Sequence, residues 1–328
     1  MSDVGALAGV SLKSVSRVVN AEAHVSPELA ERVQAAIDEL GFRPDGRARG
    51  LASQPSARAF GFVQVDAANP FFAAVYRGLE DVARNHGVMV LTGFTDAEPD
   101  RERALLEALI EHRVDGLVVA AAEGSDELLG REIEHGTPVV CVDRILTDPA
   151  CDTLVSDTRD STRRAITHLH QQGHRRIAFL GGDPNVWTAR ERLAGYREAA
   201  EHLGFEPHVI THVGHPDRAE EATRRLLAGR PTPTAIFTAQ DRITSGAIVE
   251  LHASRRHLDI ALFGFDELPF AEQLEPSISV IAQDPYAMGR RAAELLLERT
   301  AHPDVPARFE VLPVELRHRR SGNLPPSS

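Results

Sequence analysis

The segment VSLKSVSRVVN, residues 10–20, concentrates positive charge on one face of a short helix in an acidic protein. It contains Lys13, the single lysine of a chain whose formal net charge is −12, and Arg17 follows one helical turn later. Ser11 is a suitable N-cap for this helix, and Val15 lies on its opposite, inward face. Because the overall charge argues against a protein that coats nucleic acid broadly, the pattern predicts a small, local surface that reads a polyanion.

Two further helices flank this segment. The first helix extends from Asp3 and is ended by Gly9, and the third begins after the cap Ser26 with Pro27 at its first position. Apolar residues recur at helical spacing along the third helix, at Leu29, Val33, Ile37 and Leu40. Three short helices with a glycine turn predict a helix-turn-helix unit, whose second helix can enter a DNA major groove. An ordinary helical bundle with a solvated polar face is the alternative.

The length and composition of the chain exclude several classes of protein. A chain of 328 residues with 42% hydrophobic content predicts two or three structural units around a large core. No window approaches the roughly 20 apolar residues of a membrane span, and the N-terminus lacks the basic and apolar regions of a secretory signal. Cys141 and Cys151 give no disulfide framework, and Cys141 lies in an apolar run typical of a core. We therefore expect a cytoplasmic protein with no membrane partner.

From residue 58 onward, short apolar runs alternate with helical segments, in the order that builds doubly wound parallel sheets. The predicted strands are residues 59–65, 87–93, 114–121, 138–143, 175–182, 234–240, 259–266, 278–284 and 308–316. The predicted helices are residues 71–86, 101–112, 127–135, 158–171, 189–203, 219–228, 244–252 and 285–299. Because the series occurs twice, the sequence predicts two α/β lobes with a ligand between them, at the carboxyl ends of the strands.

Polar and aromatic side chains follow these strands and are the candidate ligand contacts. They are Asn69, Phe71, Phe72, Asp143, Arg144, Trp187, Arg190, Gln240, Asp241, Asp266 and Gln283. Aromatic rings can cover the C–H faces of a sugar, while charged groups make directional hydrogen bonds to its hydroxyls. Each residue also has a plain structural interpretation: Phe71 and Phe72 as helix-start core, Asp143 and Arg144 as a loop salt bridge. Arg190 could equally be a surface residue, as we expect Arg192 and Arg197 to be.

Motifs for other chemistries are weak or missing in the sequence. The histidines of HLHQQGH, residues 168–174, are split between a helix and a turn by Gly173, so we expect no metal site. LGGDPN, residues 180–185, lacks the glycine spacing of a dinucleotide or phosphate loop. No nucleophile elbow or zinc-protease motif occurs. We therefore expect no cofactor, no catalytic residues and no enzymatic activity.

Residues 3–20, DVGALAGVSLKSVSRVVN, together with residues 24–53 resemble the DNA-binding head of the LacI family of bacterial repressors, and the resemblance continues through nearly all of the chain. It implies that Leu12, Lys13 and Arg17 read base edges. It also implies that phosphates are contacted by Ser11, Ser14, Ser16, Asn20 and His24. The N-terminus is a few residues shorter than is typical of the family.

The segment FRPDGRARGLAS, residues 42–53, resembles the family's hinge helix, which forms on DNA and wedges the minor groove. The resemblance places Ala48 and Leu51 at the wedge, and Arg47 and Arg49 against phosphates or in the groove. The segment departs from the family at Asp45, where an asparagine is usual, and its glycines weaken a helix. We therefore expect its order to depend on DNA.

The resemblance also implies an organisation for the whole chain. The fold expected is α/β: a helix-turn-helix head at residues 1–42, a hinge at 43–56, and an effector-binding and dimerisation domain at 57–328 of the type I periplasmic-binding-protein-like kind. Its N-lobe would span about residues 57–156 and 285–315, and its C-lobe about 157–284 and 316–328. Arg190 and Asp266 match the effector-gripping pair of the family, and Gln240 departs from a common asparagine.

The function that the resemblance implies is a homodimeric transcriptional repressor that binds a pseudo-palindromic DNA operator and is controlled allosterically by a small, sugar-like effector. A regulator that is corepressed by a purine or nucleoside is an alternative. A sugar-binding receptor without DNA activity and an enzyme of the doubly wound class are rivals from other classes. The tail, RHRRSGNLPPSS, lacks the leucine heptads of tetrameric family members, so a dimer is expected.

Overall fold

A computed structural model describes residues 2–19, 25–40, 58–120, 125–146 and 151–327 of the chain. The chain divides into two compact units, residues 1–57 and residues 58–328. The hinge predicted at residues 43–56 lies outside the described residues.

The first unit contains three helices, α1 (Ser2–Ala8), α2 (Leu12–Val19) and α3 (Pro27–Glu39). Their apolar stripes meet in a small core of Val4, Ala8, Val15, Val33 and Ala36. The predicted caps form, because the Ser11 hydroxyl accepts the Ser14 N–H at 3.2 Å and the Ser26 hydroxyl accepts the Leu29 N–H at 3.4 Å. The three-helix arrangement predicted from the sequence is confirmed.

The second unit contains two six-stranded sheets, each the centre of one lobe. The strands are β1 (Arg58–Gln64), β2 (Val88–Phe94), β3 (Gly116–Val119), β4 (Val139–Val142), β5 (Asp152–Ser156), β6 (Ile177–Leu180), β7 (His208–Ile210), β8 (Ala235–Thr238), β9 (Ala261–Phe265), β10 (Ser279–Ala282), β11 (Phe309–Leu312) and β12 (Glu315–Arg317). The first lobe has the order β11-β5-β4-β3-β1-β2 and the second the order β12-β10-β9-β8-β6-β7. The pairings are parallel except that of β10 with β12.

Helices cover the faces of both sheets. They are α4 (Pro70–Asn85), α5 (Pro99–Glu111), α6 (Asp126–Glu134), α7 (Arg159–Gln171), α8 (Trp187–Leu203), α9 (Pro216–Ala228), α10 (Asp241–Ala253) and α11 (Pro285–Ala301), with a short 3₁₀ helix at Ser321–Asn323. Helices α4 and α11 pack very closely, since a Cβ at Gly289 would lie 1.9 Å from the Val75 carbonyl oxygen. Gly78 on the facing helix is equally tight against the Tyr286 carbonyl, so both positions require glycine. None of the described helices has the length and apolar character needed to cross a membrane.

The predicted doubly wound order is confirmed, with three differences in the strands. The predicted strand 308–316 is two strands: β11 pairs with β5 in the first sheet, and β12 pairs antiparallel with β10 in the second. Pro313 stands between them, where the chain passes from one lobe to the other, close to the lobe boundary predicted at residue 315. Strands β5 and β7 were not predicted, because β5 has the polar-rich sequence DTLVS and β7 is only three residues long.

Candidate ligand cleft and nucleic-acid interface

Two aspartates, each of which follows a strand of a different lobe, have the same unusual backbone conformation. Asp143 follows β4 with φ +62° and its N–H donates to the Leu154 carbonyl at 3.0 Å. Asp266 follows β9 with φ +72° and its N–H donates to the Ile281 carbonyl at 2.9 Å. Left-handed backbone at non-glycine residues is costly and clusters at functional sites. The two carboxylates are thus held at the carboxyl edges of the sheets, where a ligand was predicted.

Charged groups from both lobes influence the pKa of Asp143. Burial raises the pKa of Asp143 to about 6; the guanidinium groups of Arg192 and Arg144 oppose that rise, and the Asp266 carboxylate adds to it. Arg192 and Asp266 belong to the second lobe, while Asp143 and Arg144 belong to the first. Charged groups of both lobes therefore face one another across the cleft.

Arg192 is the central cation of this cluster. Its side chain is nearly buried, with 6% of its surface exposed, and its guanidinium carbon lies 3.7 Å from the centroid of the Phe265 ring. One guanidinium nitrogen, Nη1, donates to the Ala239 carbonyl at 2.6 Å. Its Nε is buried and has no hydrogen-bond partner among the described residues. A rigid, stacked guanidinium with spare donor capacity is well suited to hold a ligand oxygen.

The expectation that Arg192 lies at the surface was wrong, and the predicted ligand contact Arg190 is the exposed arginine of the two. Arg190, the predicted ligand contact, is exposed and donates to the Asn185 carbonyl at 3.3 Å, whereas Arg192, which we expected at the surface, is buried. Two helical positions turn a side chain by about 200°, so these residues occupy different faces of the helix. Leu193, Tyr196 and Ala200 are buried on the face of Arg192, and their spacing was the available signal.

The start of α10 adds a third carboxylate to the cluster. Asp241 is 7% exposed, and burial, followed by the charge of Asp266, raises its pKa to about 6. Its Oδ1 has no hydrogen-bond partner among the described residues. Gln240, the residue before it, extends its side chain over the glycines of the neighbouring loops, Gly182 and Gly214. Both predicted residues therefore lie at the edge of the second sheet.

Gln283 fixes the orientation of Asp266. Its amide Nε2 donates to Oδ1 of Asp266 at 2.5 Å, and its buried Oε1 has no hydrogen-bond partner among the described residues. The amide comes from the segment after β10, and the carboxylate from the segment after β9, so adjacent strand ends build one polar surface. A buried amide oxygen without a partner is uncommon, and it adds Gln283 to the candidate site.

The three predicted ligand contacts of the NPFF segment, residues 69–72, have different roles in the structure. The Asn69 Oδ1 accepts the Phe71 N–H at 2.9 Å, so Asn69 caps α4. Phe72 is 4% exposed and packs in the core of the first lobe, which matches the structural interpretation rather than a ligand contact. Phe71 packs edge-on against Phe72 with ring centroids 5.2 Å apart and remains partly exposed. Trp187 is also partly exposed, at the first position of α8.

An ion pair that sequence reasoning missed links the two lobes beside this cluster. The Arg242 guanidinium at the start of α10 bonds to the carboxylate of Asp66, which follows β1. The two residues are 176 positions apart, and roughly a quarter of each side chain is exposed. No local sequence pattern reports such a contact, because only the folded arrangement of both lobes brings the two residues together.

The second helix of the first unit presents the predicted nucleic-acid face. Lys13 and Ser11 are exposed, and Ser14, Ser16 and Arg17 are partly exposed. Ser11 also caps the helix, and its hydroxyl lies 3.0 Å from that of Ser14. The side chain of Leu12 and the predicted contacts Asn20, His24, Arg47, Ala48, Arg49 and Leu51 lie outside the described residues.

Arg32 supports the turn between α1 and α2, a role that was not predicted. Its Nη2 donates to the Ala8 carbonyl at 2.5 Å and lies 3.5 Å from the Gly9 carbonyl. Gly9 has φ +65°, as the helix-ending turn requires. A cation at the carboxyl end of α1 satisfies free carbonyls and complements the helix dipole. Arg32, on α3, therefore fixes the turn that presents the second helix.

The histidines of residues 168–174 have structural contacts. His174 is fully buried between the Thr234 hydroxyl at 3.0 Å and the Leu324 carbonyl at 2.9 Å, and His168 lies 3.1 Å from the Gly322 carbonyl. Both rings thus anchor the C-terminal segment to the second lobe. Within the described part of the chain, no group of three or more histidines, cysteines and acids has a metal-binding arrangement.

Comparison with known proteins agrees with both units. Residues 1–45 match the family model of bacterial regulatory proteins of the lacI family, and residues 166–322 match that of the periplasmic binding protein-like domain. The chain is 33% identical over 300 residues to the ribose operon repressor of Halalkalibacterium halodurans, which covers 90% of this chain and 89% of the relative.

Solved structures give the same picture. The chain resembles a lac repressor dimer bound to operator and the anti-inducer ONPF, with a TM-score of 0.73, 26% identity and 98% of each chain covered. It also resembles a complex of the transcriptional regulator CelR with cellobiose, with a TM-score of 0.71, 30% identity, and 97% and 98% of the two chains covered. The chain therefore belongs to the lacI family of bacterial regulatory proteins, as a DNA-binding transcriptional regulator.

Proposed function

We propose that the protein is a homodimeric repressor whose affinity for a pseudo-palindromic operator is set by a sugar-like effector bound between the two lobes. The observation that carries this proposal is the cluster of Asp143, Arg192 and Asp266, in which charged groups from both lobes interact around one buried guanidinium. A ligand that bridges them changes the arrangement of the lobes. Such a ligand couples to DNA through the hinge, typically by about 1–3 kcal/mol.

The chemistry of the cluster favours a polyhydroxylated, uncharged effector. Two carboxylates accept hydrogen bonds from neighbouring hydroxyls, while the Arg192 Nε and the Gln283 Oε1 offer a donor and an acceptor. Phe265 stacks against the planar guanidinium and restricts its orientation. Carboxylates and a guanidinium that recognise hydroxyls in this way resemble a sugar site more than an anion site. The ribose operon repressor among the relatives supports a pentose.

The head supplies the DNA contacts in this proposal. Lys13 and Arg17 reach base edges from α2, and Arg17 can donate two hydrogen bonds to a guanine. Ser11, Ser14 and Ser16 contact phosphates, and Ala48 and Leu51 of the hinge wedge the minor groove. Two copies of the chain place two such helices in successive major-groove half-sites. Because the operator is chromosomal DNA, we propose that the protein works in the bacterial cytoplasm, and not as an enzyme.

Effector class is tested by thermal shift of the purified protein with pentoses, hexoses, disaccharides, nucleosides and purines. A ligand present at 100 times its Kd adds about 2.7 kcal/mol to the free energy of unfolding, which raises Tm visibly. A pentose that stabilises wild type but not Arg192→Gln supports the proposed site. The exposed Arg190→Gln variant is the matched control and should retain the shift. Stabilisation by purines or nucleosides alone would replace the sugar with a base as effector and reverse the expected sign to corepression.

A further inference from the structure

The chain has two cysteines, and the fold brings them together. Cys141 lies in β4, fully buried between β3 and β5, where it is paired with Val119 and Thr153. Cys151 immediately precedes β5 and is partly exposed. Their Sγ atoms lie 3.3 Å apart, and both thiols are free. This proximity could not be predicted from the sequence, because Cys141 lies in β4 and Cys151 precedes a different strand, β5.

The surroundings of the two sulfurs differ in a way that suits stepwise chemistry. The hydrogen bond between the two thiols lowers the pKa of Cys151, and the same contact, together with burial, raises the pKa of Cys141. The Thr153 hydroxyl lies 3.9 Å from the Cys151 sulfur. Thiolate therefore forms first on Cys151, the partly exposed residue of the two, with a second thiol in contact. Reactive cysteines combine low pKa, exposure and a neighbouring resolving thiol.

We propose that Cys151 and Cys141 form an oxidisable dithiol site that hydrogen peroxide converts to an intramolecular disulfide. The Cys151 thiolate attacks one peroxide oxygen, the O–O bond breaks, and the leaving hydroxide takes a proton to become water. The Cys141 sulfur then attacks the resulting sulfenic acid at sulfur, the S–O bond breaks, and hydroxide leaves with the thiol proton as a second water. Two thiols lose two electrons in total, and one peroxide is reduced to two waters.

Disulfide formation requires a short movement beside the ligand cleft. The sulfurs must close from 3.3 Å to a bond of about 2 Å. Cys141 is held within the sheet on both sides, so Cys151 has to move. Asp143 follows Cys141 by two residues, and its N–H is bonded to the Leu154 carbonyl of β5. Oxidation therefore disturbs the strand pair that positions Asp143, and we infer that the oxidised protein binds the effector more weakly. This coupling rests on the proposed function.

The site is tested by intact-mass measurement of the reduced full-length protein after treatment with hydrogen peroxide. The proposal predicts a loss of about 2 Da, reversed by dithiothreitol, with the protein remaining a single chain under denaturing, non-reducing conditions. Cys151→Ser should leave the mass unchanged, because the remaining thiol is buried. Cys141→Ser should instead gain one or two oxygens. Cys141→Ala replaces it if the serine variant does not fold.

Two outcomes would overturn the dithiol site. One is a wild-type product that gains oxygen as Cys141→Ser does, and the other is a disulfide between two chains. The coupling between oxidation and effector binding is tested separately, by measuring the effector affinity of the reduced and of the oxidised wild-type protein. Equal affinity would overturn the coupling and leave the disulfide standing. If the reduced protein binds no sugar, the proposed effector class fails, and the mass result still decides the dithiol site by itself.

Discussion

The Arg242 guanidinium of the second lobe and the Asp66 carboxylate of the first form an ion pair across the ligand cleft. Arg242 follows Asp241, a member of the buried carboxylate cluster, and Asp66 precedes the capped start of α4. The pair joins one segment of each lobe next to the candidate ligand site. We interpret it as a latch that favours the closed arrangement of the lobes.

Breaking the latch should weaken effector binding. A partly exposed pair of this kind contributes up to about 1 kcal/mol, which corresponds to about a fivefold loss of affinity. Asp66→Asn and Arg242→Gln should each show this loss by titration calorimetry. The reversed pair, Asp66→Arg with Arg242→Asp, should recover part of it, because the attraction is restored. Losses that simply add in the reversed pair would mean that the ion pair does not control closure.

Removal of the buried guanidinium should have a larger effect than removal of the exposed one. Arg192→Gln deletes a charged partner of Asp143 and Asp241, and a hydrogen bond to a charged group contributes about 1.5–3 kcal/mol. We therefore expect effector affinity to fall by about 10- to 150-fold. Arg190→Gln should stay within about twofold of wild type. Titration of each variant with the effector measures both losses. A larger loss of affinity for Arg190→Gln than for Arg192→Gln would contradict the assignment of the site to Arg192.

Effector affinity should depend on pH through the buried carboxylates. The pKa values of Asp143 and Asp241 are raised to about 6, so both protonate near that pH and then accept fewer hydrogen bonds from hydroxyls. Affinity for an uncharged sugar should fall as pH drops through about 6. Their linkage to folding has the opposite sign. Since the folded state binds these protons more tightly, apo stability falls as pH rises from about 4 to about 6.

Titrations at several pH values check this dependence, with unfolding curves of the apo protein alongside. Asp143→Asn should make both profiles shallower, because Asp241 is then the one of these two groups that still titrates in this range. A wild-type affinity that is constant between pH 5 and pH 7 would contradict a binding role for the two carboxylates.

The turn of the head should depend on Arg32. Arg32→Met removes the cation that bonds the Ala8 carbonyl, a contribution of about 0.5–1 kcal/mol at a helix end. Amides of α1 should therefore exchange with deuterium faster, and DNA affinity should fall, while effector binding is unchanged. Glu31→Gln, at an exposed neighbouring position, is the matched control. Unchanged exchange in α1 would show that Arg32 does not support the turn.

Local patterns in the sequence predicted most of the fold for identifiable reasons. Buried parallel strands such as β4 and β9 read as unbroken apolar runs, and caps such as Ser26 mark helix starts. Strand β5 was not predicted, because its buried Asp152 is paired with Arg299, a partner 147 residues away. The same reason applies to Arg192 and the Asp66–Arg242 pair. From the sequence alone a charged residue is assigned to the surface, because the partner that allows its burial is distant in the chain.

The central claim is that this chain reads a specific DNA sequence under control of the effector. The most direct measurement selects binding sites from random duplex DNA with the full-length protein, then follows affinity for the selected site against salt and effector concentration. We predict a pseudo-palindromic site, a steep linear fall of log affinity with log salt, and release by the sugar that raises Tm. Arg17→Ala should lose the preference for that site. No enriched sequence, or an affinity that neither salt nor effector changes, would contradict the account.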